Sequence, residues 1–390
     1  MISDQVSAVC YAFCREGGPQ VADKEVKPLL PGSQPALAKP TDAAPEKAEQ
    51  DRPTEQKKSE TAPTQQQATV PSKDPVQPKV EVVHAQPPPE QRGCVETEIS
   101  VKDFEPDQTE VDFNHYRIGR ITNLETLQAP IFICFRNNLI KKIENLQHLT
   151  TLRELELYDN LITKIENLDA LVNLEILDVS FNRIPIIENL DALVNLKKLF
   201  LVNNRITKIQ NLDKLVNLEM LELGSNRIRV IENLDKLKSL KHLFVGKNRI
   251  SKLENLHPLE NLELLSIQSN RLVKLEGLQN NKRLSHLYMS HNGIEAIENL
   301  DNNVMLETLD LAANRIKHLK NIDHLVNVEE FWFNDNQVDN FDELEVLRKL
   351  PKLVTVYFAS NPIEKDPMYR RKIMMICPTV KQIDATMCRK

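Results

Sequence analysis

The sequence predicts an α/β fold, a curved solenoid of 22-residue repeats with a parallel sheet on its concave side, and three observations predict it. Asparagine recurs at 138, 160, 182, 204, 226, 248, 270, 292, 314 and 336, always 22 residues apart, and once more at Asn361. Leu and Ile hold fixed offsets around each Asn, as in Asn160, Ile162, Ile165, Asn167, Leu168, Leu171, Leu174, Leu177 and Val179. Within each unit the spacing changes from strict alternation to a mixed pattern, so a strand is followed by a different kind of return.

Residues 1–110 carry 15 of the 22 prolines, with Gln, Ala, Lys and Glu in no periodic arrangement. Such a stretch buries too little apolar area to offset its backbone entropy, and it reads as a disordered Pro-rich tail. From Val111 an apolar pattern begins, and residues 111–137 read as an N-terminal cap with a divergent first repeat. Residues 138–360 are the repeats. In Leu155-Glu156-Leu157-Tyr158-Asp159-Asn160 the leucines point into the core while Glu154, Glu156 and Tyr158 face outward. The recurring Asn can satisfy backbone groups exposed in the turn, forming a ladder inside the coil. Ile162, Ile165, Leu168 and Leu171 suit a short helical or 3₁₀ return on the convex side. This is the 22-residue form of the leucine-rich repeat. The last period stretches to 25 residues, and residues 361–390 then break the pattern and read as a C-terminal cap covering the exposed end of the core.

The formal charge of −6 is unevenly placed, with 19 acidic and 12 basic residues in 1–110 against 37 and 38 in the remainder. A near-neutral array gives no general reason to expect nucleic acid or an anionic membrane as partner. Six cysteines, at 10, 14, 94, 134, 377 and 388, lack the spacing of a disulfide framework or a zinc site and read as reduced thiols. The apolar run Val6–Phe13 lacks a basic leader, and no segment has the roughly 18 apolar residues of a membrane span. A soluble, intracellular protein is expected.

An enzyme reading fails on motifs. No phosphate-cradling Gly-rich loop, no His-Glu-x-x-His and no Cys/His pair at metal spacing occurs, so no cofactor and no metal is expected. His242 and His286 fall on the sheet face, where contact or solvation outweighs catalysis. Glu156 and Asp178 would sit about 5 Å apart on adjacent strands, but an open face has nothing to desolvate them as an acid/base pair. Lys142, Lys164, Lys208, Lys252 and Lys274 form a row four residues after their Asn; without interleaved aromatics to stack bases, it reads as a solvated flank.

The column four residues before each Asn differs. It reads Cys134, Glu156, Asp178, Phe200, Glu222, Phe244, Ser266, Tyr288, Asp310, Trp332 and Tyr357, and holds the single tryptophan of the chain. Large aromatics on a sheet face presented to water expose apolar area, which marks an interface, although stacking along the ladder would also account for them. The interspersed acids predict a partner that is apolar at the contact centre and basic around it. Eleven strands at about 4.8 Å make a face on the order of 50 Å long, the scale of a folded protein domain.

Several segments also carry a resemblance: Val111–Gly119, Met220-Leu221-Glu222-Leu223-Gly224-Ser225-Asn226-Arg227-Ile228-Arg229, and the ending Gln382-Ile383-Asp384-Ala385-Thr386. Together with the unit spacing, they resemble the leucine-rich-repeat regulatory subunits of protein phosphatase 1. The resemblance implies a non-catalytic subunit, monomeric on its own. It would hold the phosphatase catalytic subunit, alone or with a further regulatory subunit, and act in nucleus and cytoplasm on mitosis and chromosome segregation. It also implies partner contacts at Asp178, Phe200, Glu222, Phe244, Asp310, Glu330, Trp332 and Tyr357. The chain lacks a basic-Val-x-Phe docking segment and the strongly acidic N-terminus usual in that family. A scaffold of cytoskeletal or ciliary assemblies is the alternative, and a ribonucleoprotein subunit a third reading.

Overall fold

The computed structural model describes residues 96–388. The expected Pro-rich tail up to residue 95, with Cys10, Cys14, Cys94 and the apolar run Val6–Phe13, lies outside the described residues. Strands of three residues recur at the predicted period, from Glu110–Asp112 and Phe132–Cys134 through Glu154–Glu156 to Glu330–Trp332, followed by Thr355–Tyr357. They form one sheet in sequence order, each pairing in parallel with the next. The register is unbroken, so column positions such as Asp178, Phe200, Glu222 and Phe244 are direct cross-strand neighbours.

Two asparagines per repeat hold this register. The first is buried at every position from Asn138 to Asn361 except Asn270 and Asn292, which are half-buried. Asn160 shows the arrangement. Its Oδ1 accepts from Ile140 N–H at 3.0 Å, and its Nδ2 donates to Phe135 O at 2.8 Å and Leu157 O at 3.1 Å. One amide thus ties its own turn to the preceding one and satisfies three backbone groups that would otherwise be buried unpaired. The second asparagine follows seven residues later. Asn167 has φ 60°, and its Nδ2 donates to Ile143 O at 2.6 Å. Asn tolerates the left-handed conformation better than most side chains, so one residue type meets both the dihedral and the hydrogen-bonding demand. In one repeat Gly277 takes this place, with φ 77°; a Cβ there would lie 2.5 Å from Leu253 O.

The convex returns carry consecutive 3₁₀-type bonds, for example Leu171 N–H to Leu168 O and Leu174 N–H to Leu171 O, both about 3 Å. They do not lengthen into helices in the 22-residue units. Among the repeats, a 3₁₀ helix, Phe341–Lys349, forms in the 25-residue unit, where three more residues are available; Asn340 caps it by accepting from Asp342 N–H. The repeated Leu and Ile side chains are fully buried in one continuous core. Asn281 and Asn303 replace the middle leucine of two adjacent returns, both wholly buried. Their Nδ2 groups reach backbone carbonyls, but neither Oδ1 has a hydrogen-bond partner.

The folded unit takes in residues that the sequence assigns to the tail. Thr97 bridges to Ile118, Ile99 and Phe104 are buried, and Asn123 Nδ2 donates to Ile99 O at 2.7 Å, continuing the second asparagine ladder. Phe104 meets Phe113 edge-on at 6.1 Å, and Phe113 stacks on Phe135 at 5.4 Å. The N-terminal cap therefore covers the first repeat with residues 96–110 as well as 111–137, because a cap needs only a few apolar side chains and no period. At the other end, helix Tyr369–Ile376 buries Tyr369, Ile373 and Ile376. Asp384 accepts from Phe358 N–H, Ala359 N–H and the Tyr369 hydroxyl, locking the cap to the last full repeat.

Removing residues 1–95 should leave the thermal midpoint unchanged, whereas removing 1–110 should cost roughly 3 kcal/mol through loss of Ile99 and Phe104; denaturant titration of the two truncations checks this. Asn226→Ala should cost about 2–4 kcal/mol because four backbone-directed bonds are lost at a buried site. The same experiment on Asn217→Ala, whose exposed amide makes one bond to Val194 O, should show less than about 1 kcal/mol.

Candidate functional site

Every column residue predicted from the sequence lies on the sheet face, but the face divides into two kinds of position. Glu222, Phe244 and Asp310 are buried, with exposures of 5%, 4% and 7%. Asp178, Phe200, Trp332 and Tyr357 are half-buried, and Glu330 is exposed. The expectation that the aromatics uniformly expose apolar area is thus corrected at Phe244, which lies in register between Glu222 and Ser266.

The acids have a structural task that the sequence did not show. Asp178 Oδ1 accepts from Ser180 N–H at 2.9 Å, and Asp310 Oδ1 accepts from Ala312 N–H at 3.0 Å. Both are Asx turns that satisfy a backbone donor just beyond the strand. Glu222 does the same to Gly224 N–H at 2.8 Å with a longer side chain, and a Cβ on residue 224 would lie 2.7 Å from its Oε1. Glycine at 224 is therefore what lets the glutamate fold back. Phe200 and Phe244 flank Glu222 on the neighbouring strands. Burial pushes the Glu222 carboxyl up to about 8, against the pull of the Gly224 N–H, and Asp178 at the far side of Phe200 adds to the rise. Burial likewise pushes Asp310 up to about 6.

The C-terminal end of the face is a preformed platform. Trp332 and Tyr357 stack with ring centroids 4.1 Å apart and planes 4° apart. Glu330 Oε2 accepts from Trp332 Nε1 in a long, exposed bond of 3.4 Å, and Tyr357 Oη accepts from Gln382 Nε2 at 2.8 Å, so the two rings are already stacked without a partner. Stacking along the ladder, open in the sequence as a competing account of the aromatics, applies to this pair, whose edges remain accessible.

At the N-terminal end, sequence reasoning missed a second aromatic group. Tyr158 and Phe181 pack at 4.7 Å, and the Arg136 guanidinium lies 4.4 Å over the Tyr158 ring. Phe181 is 38% exposed at φ 54°, an uncommon conformation for a bulky side chain. It falls one residue before its Asn, outside the column, so only its exception to the usual Asn, Asp or Ser there could have signalled it.

The remaining features are inert or neutralised. Burial pushes the Cys134 thiol up to about 12, which makes it a poor nucleophile. Burial also lowers His242 and His286. Among the described residues no group of three or more His, Cys, Asp or Glu is placed to hold a metal. The lysine row is largely paired: Lys142 with Glu144, Lys164 with Glu166, Lys208 with Glu232 and Lys252 with Glu254, at 3.2–4.0 Å.

A pH dependence follows from Glu222. Its folded pKa is raised from 4.5, so its contribution to stability is fully present below about 4.5 and is lost as pH rises through about 8. Glu222→Gln, which keeps an acceptor for Gly224 N–H, should flatten that slope. Unfolding titrations at the two ends of the window should show near-equal stability at low pH and a variant more stable by on the order of 4 kcal/mol at high pH.

A family model described as leucine-rich repeat matches residues 135–246. An internalin from Listeria monocytogenes shares the fold at TM-score 0.59 and 23% identity, covering 74% of this chain and 89% of that one. A leucine-rich-repeat protein of Leptospira interrogans gives TM-score 0.53 and 18% identity over 72% and 97%. Among curated proteins, protein phosphatase 1 regulatory subunit 7 of Xenopus tropicalis is 55% identical over 52 residues, 13% of this chain and 15% of that protein. Protein phosphatase 1 regulatory subunit SDS22 of Schizosaccharomyces pombe is 43% identical over 57 residues, 14% and 17% of the two chains. The aligned segments thus span about one-sixth of these relatives' length, and the relatives are named as regulatory subunits. The protein is a leucine-rich-repeat solenoid that resembles, over that segment, the regulatory subunits of protein phosphatase 1.

Proposed function

We propose that this chain is a non-catalytic regulatory subunit that binds the protein phosphatase 1 catalytic subunit on its concave face. In this reading it controls the activity, assembly or localisation of the phosphatase, including in mitosis and chromosome segregation, in nucleus and cytoplasm. The observation that carries the reading is the fixed Trp332–Tyr357 stack with Glu330 beside it, on a chain similar to subunits of that name. A rigid aromatic pair edged by a carboxylate loses little entropy on binding, and it suits a cationic side chain whose stem packs on the rings while its charge meets the acid.

Glu330, Trp332, Tyr357 and Phe200 are the direct contacts in this mechanism. Asp178, Glu222, Phe244 and Asp310 act with them by shaping the floor between the two ends, since three of the four are buried in the free chain. No catalytic role falls to any residue. The partner is held by the face while its own centre does the chemistry.

Retention of purified phosphatase catalytic subunit by immobilised chain tests the proposal. Trp332→Ala should weaken binding by about 2 kcal/mol or more, roughly thirtyfold, with only a small drop in thermal midpoint from the lost stacking on Tyr357. Glu222→Ala should weaken it as well, with a change in stability. Full retention by both variants would remove the concave face from the interface, and recovery of tubulin without phosphatase from cells would favour the cytoskeletal scaffold.

A further inference from the structure

One side of the solenoid carries a charged row that neither the sheet face nor the paired lysines account for. The residue after the ladder asparagine is arginine in five consecutive repeats: Arg183, Arg205, Arg227, Arg249 and Arg271. All five are exposed, at the turn where each strand ends. Their backbone N–H groups are engaged, from Arg183 to Ile162 O at 2.8 Å through Arg271 to Ile250 O at 2.8 Å. Their guanidinium groups are not, and among the described residues none of the five forms an ion pair. The stretch from one residue before each of these asparagines to four after it contains ten basic residues, of which Lys208 and Lys252 are the paired lysines already described, and no acidic one over the five repeats. Arg229 and Lys247 are among them, so the strip is wider than a single row.

This arrangement costs stability in the free chain. Strands stack about 4.8 Å apart, so the backbones carrying the five arginines follow one another at close spacing and the like charges repel. The nearest acids, such as Glu232 and Glu254, lie further along the turn and face lysines. Arginine in all five places also supplies planar donors suited to paired bonds with carboxylates.

We propose that this arginine row is a second docking surface, separate from the sheet face, for an acidic polypeptide segment lying across the strand ends. Five repeats span about 20 Å, which an extended chain of six or seven residues covers at roughly 3.3 Å each. A polypeptide fits better than a single-stranded nucleic acid because the strip has no run of aromatics on which bases could stack; Phe181 stands at one end only. The surface does not depend on the phosphatase reading, since it shares no residue with the column.

Fluorescence anisotropy of the full chain with a labelled poly-Glu peptide of about ten residues tests it. Binding should be salt-sensitive, and the triple variant Arg205→Glu, Arg227→Glu, Arg249→Glu should weaken it at least about tenfold while phosphatase retention stays as in the parent. The corresponding triple Arg→Gln variant, which adds no negative charge, should give an intermediate loss and serves as the measure if the Glu variant folds poorly. Equal peptide affinity in parent and Gln variant would overturn the proposal. So would tighter binding of a single-stranded RNA of the same charge, which would assign the row to nucleic acid.

Discussion

A carboxamide inside a turn is the constraint on which this structure rests. Each repeat reverses direction after three strand residues, and the reversal leaves backbone groups pointing into a leucine-filled interior. The Asn160 amide shows the solution: it accepts from the preceding turn and donates to that turn and its own, so no repeat can rotate against its neighbour without breaking bonds in both. The unbroken register follows, and with it the alignment of column residues on one face. A surface assembled from one side chain per repeat is possible only because this interior bonding holds the repeats in step.

The same register shows why the acids on the face serve two purposes. Asp178, Glu222 and Asp310 satisfy a backbone donor at the strand's end before any partner is present. Their identity is therefore not sufficient reason to assign them to an interface. Trp332 and Tyr357 satisfy no backbone need in return, and their fixed stacking carries more of the functional case. The column holds acids between its aromatics, and the five arginines that follow the ladder asparagines form no ion pair among the described residues.

Periodicity made most of this legible. A side chain recurring every 22 residues in a parallel stack must lie in a straight row, so strand positions, the first asparagine ladder and the members of the column could be read from spacing alone. What could not be read depends on neighbours across strands. Phe244 is buried and Phe181 exposed because of local backbone and packing, and Glu222 folds back only because residue 224 lacks a side chain. The N-terminal boundary was hidden for a different reason. Ile99 and Phe104 join the core as single apolar residues in a proline-containing stretch, and a cap repeats nothing that a period could reveal.

Asn281 and Asn303 have a mechanical consequence. In a stacked array, stability is a sum over units and over the joints between neighbours, and each of these residues exchanges a leucine for an amide whose oxygen is buried without a donor. Each such oxygen costs about 1–3 kcal/mol, in adjacent repeats and just beyond Gly277, where the second asparagine ladder misses a rung. The Nδ2 groups of Asn281 and Asn303 offset part of that cost, since each donates to two carbonyls of the preceding repeat. The pair stands between a block bearing most of the arginine row and a block bearing the Trp332–Tyr357 platform, so the two blocks are joined there by carboxamide bonds where the other returns offer leucine packing.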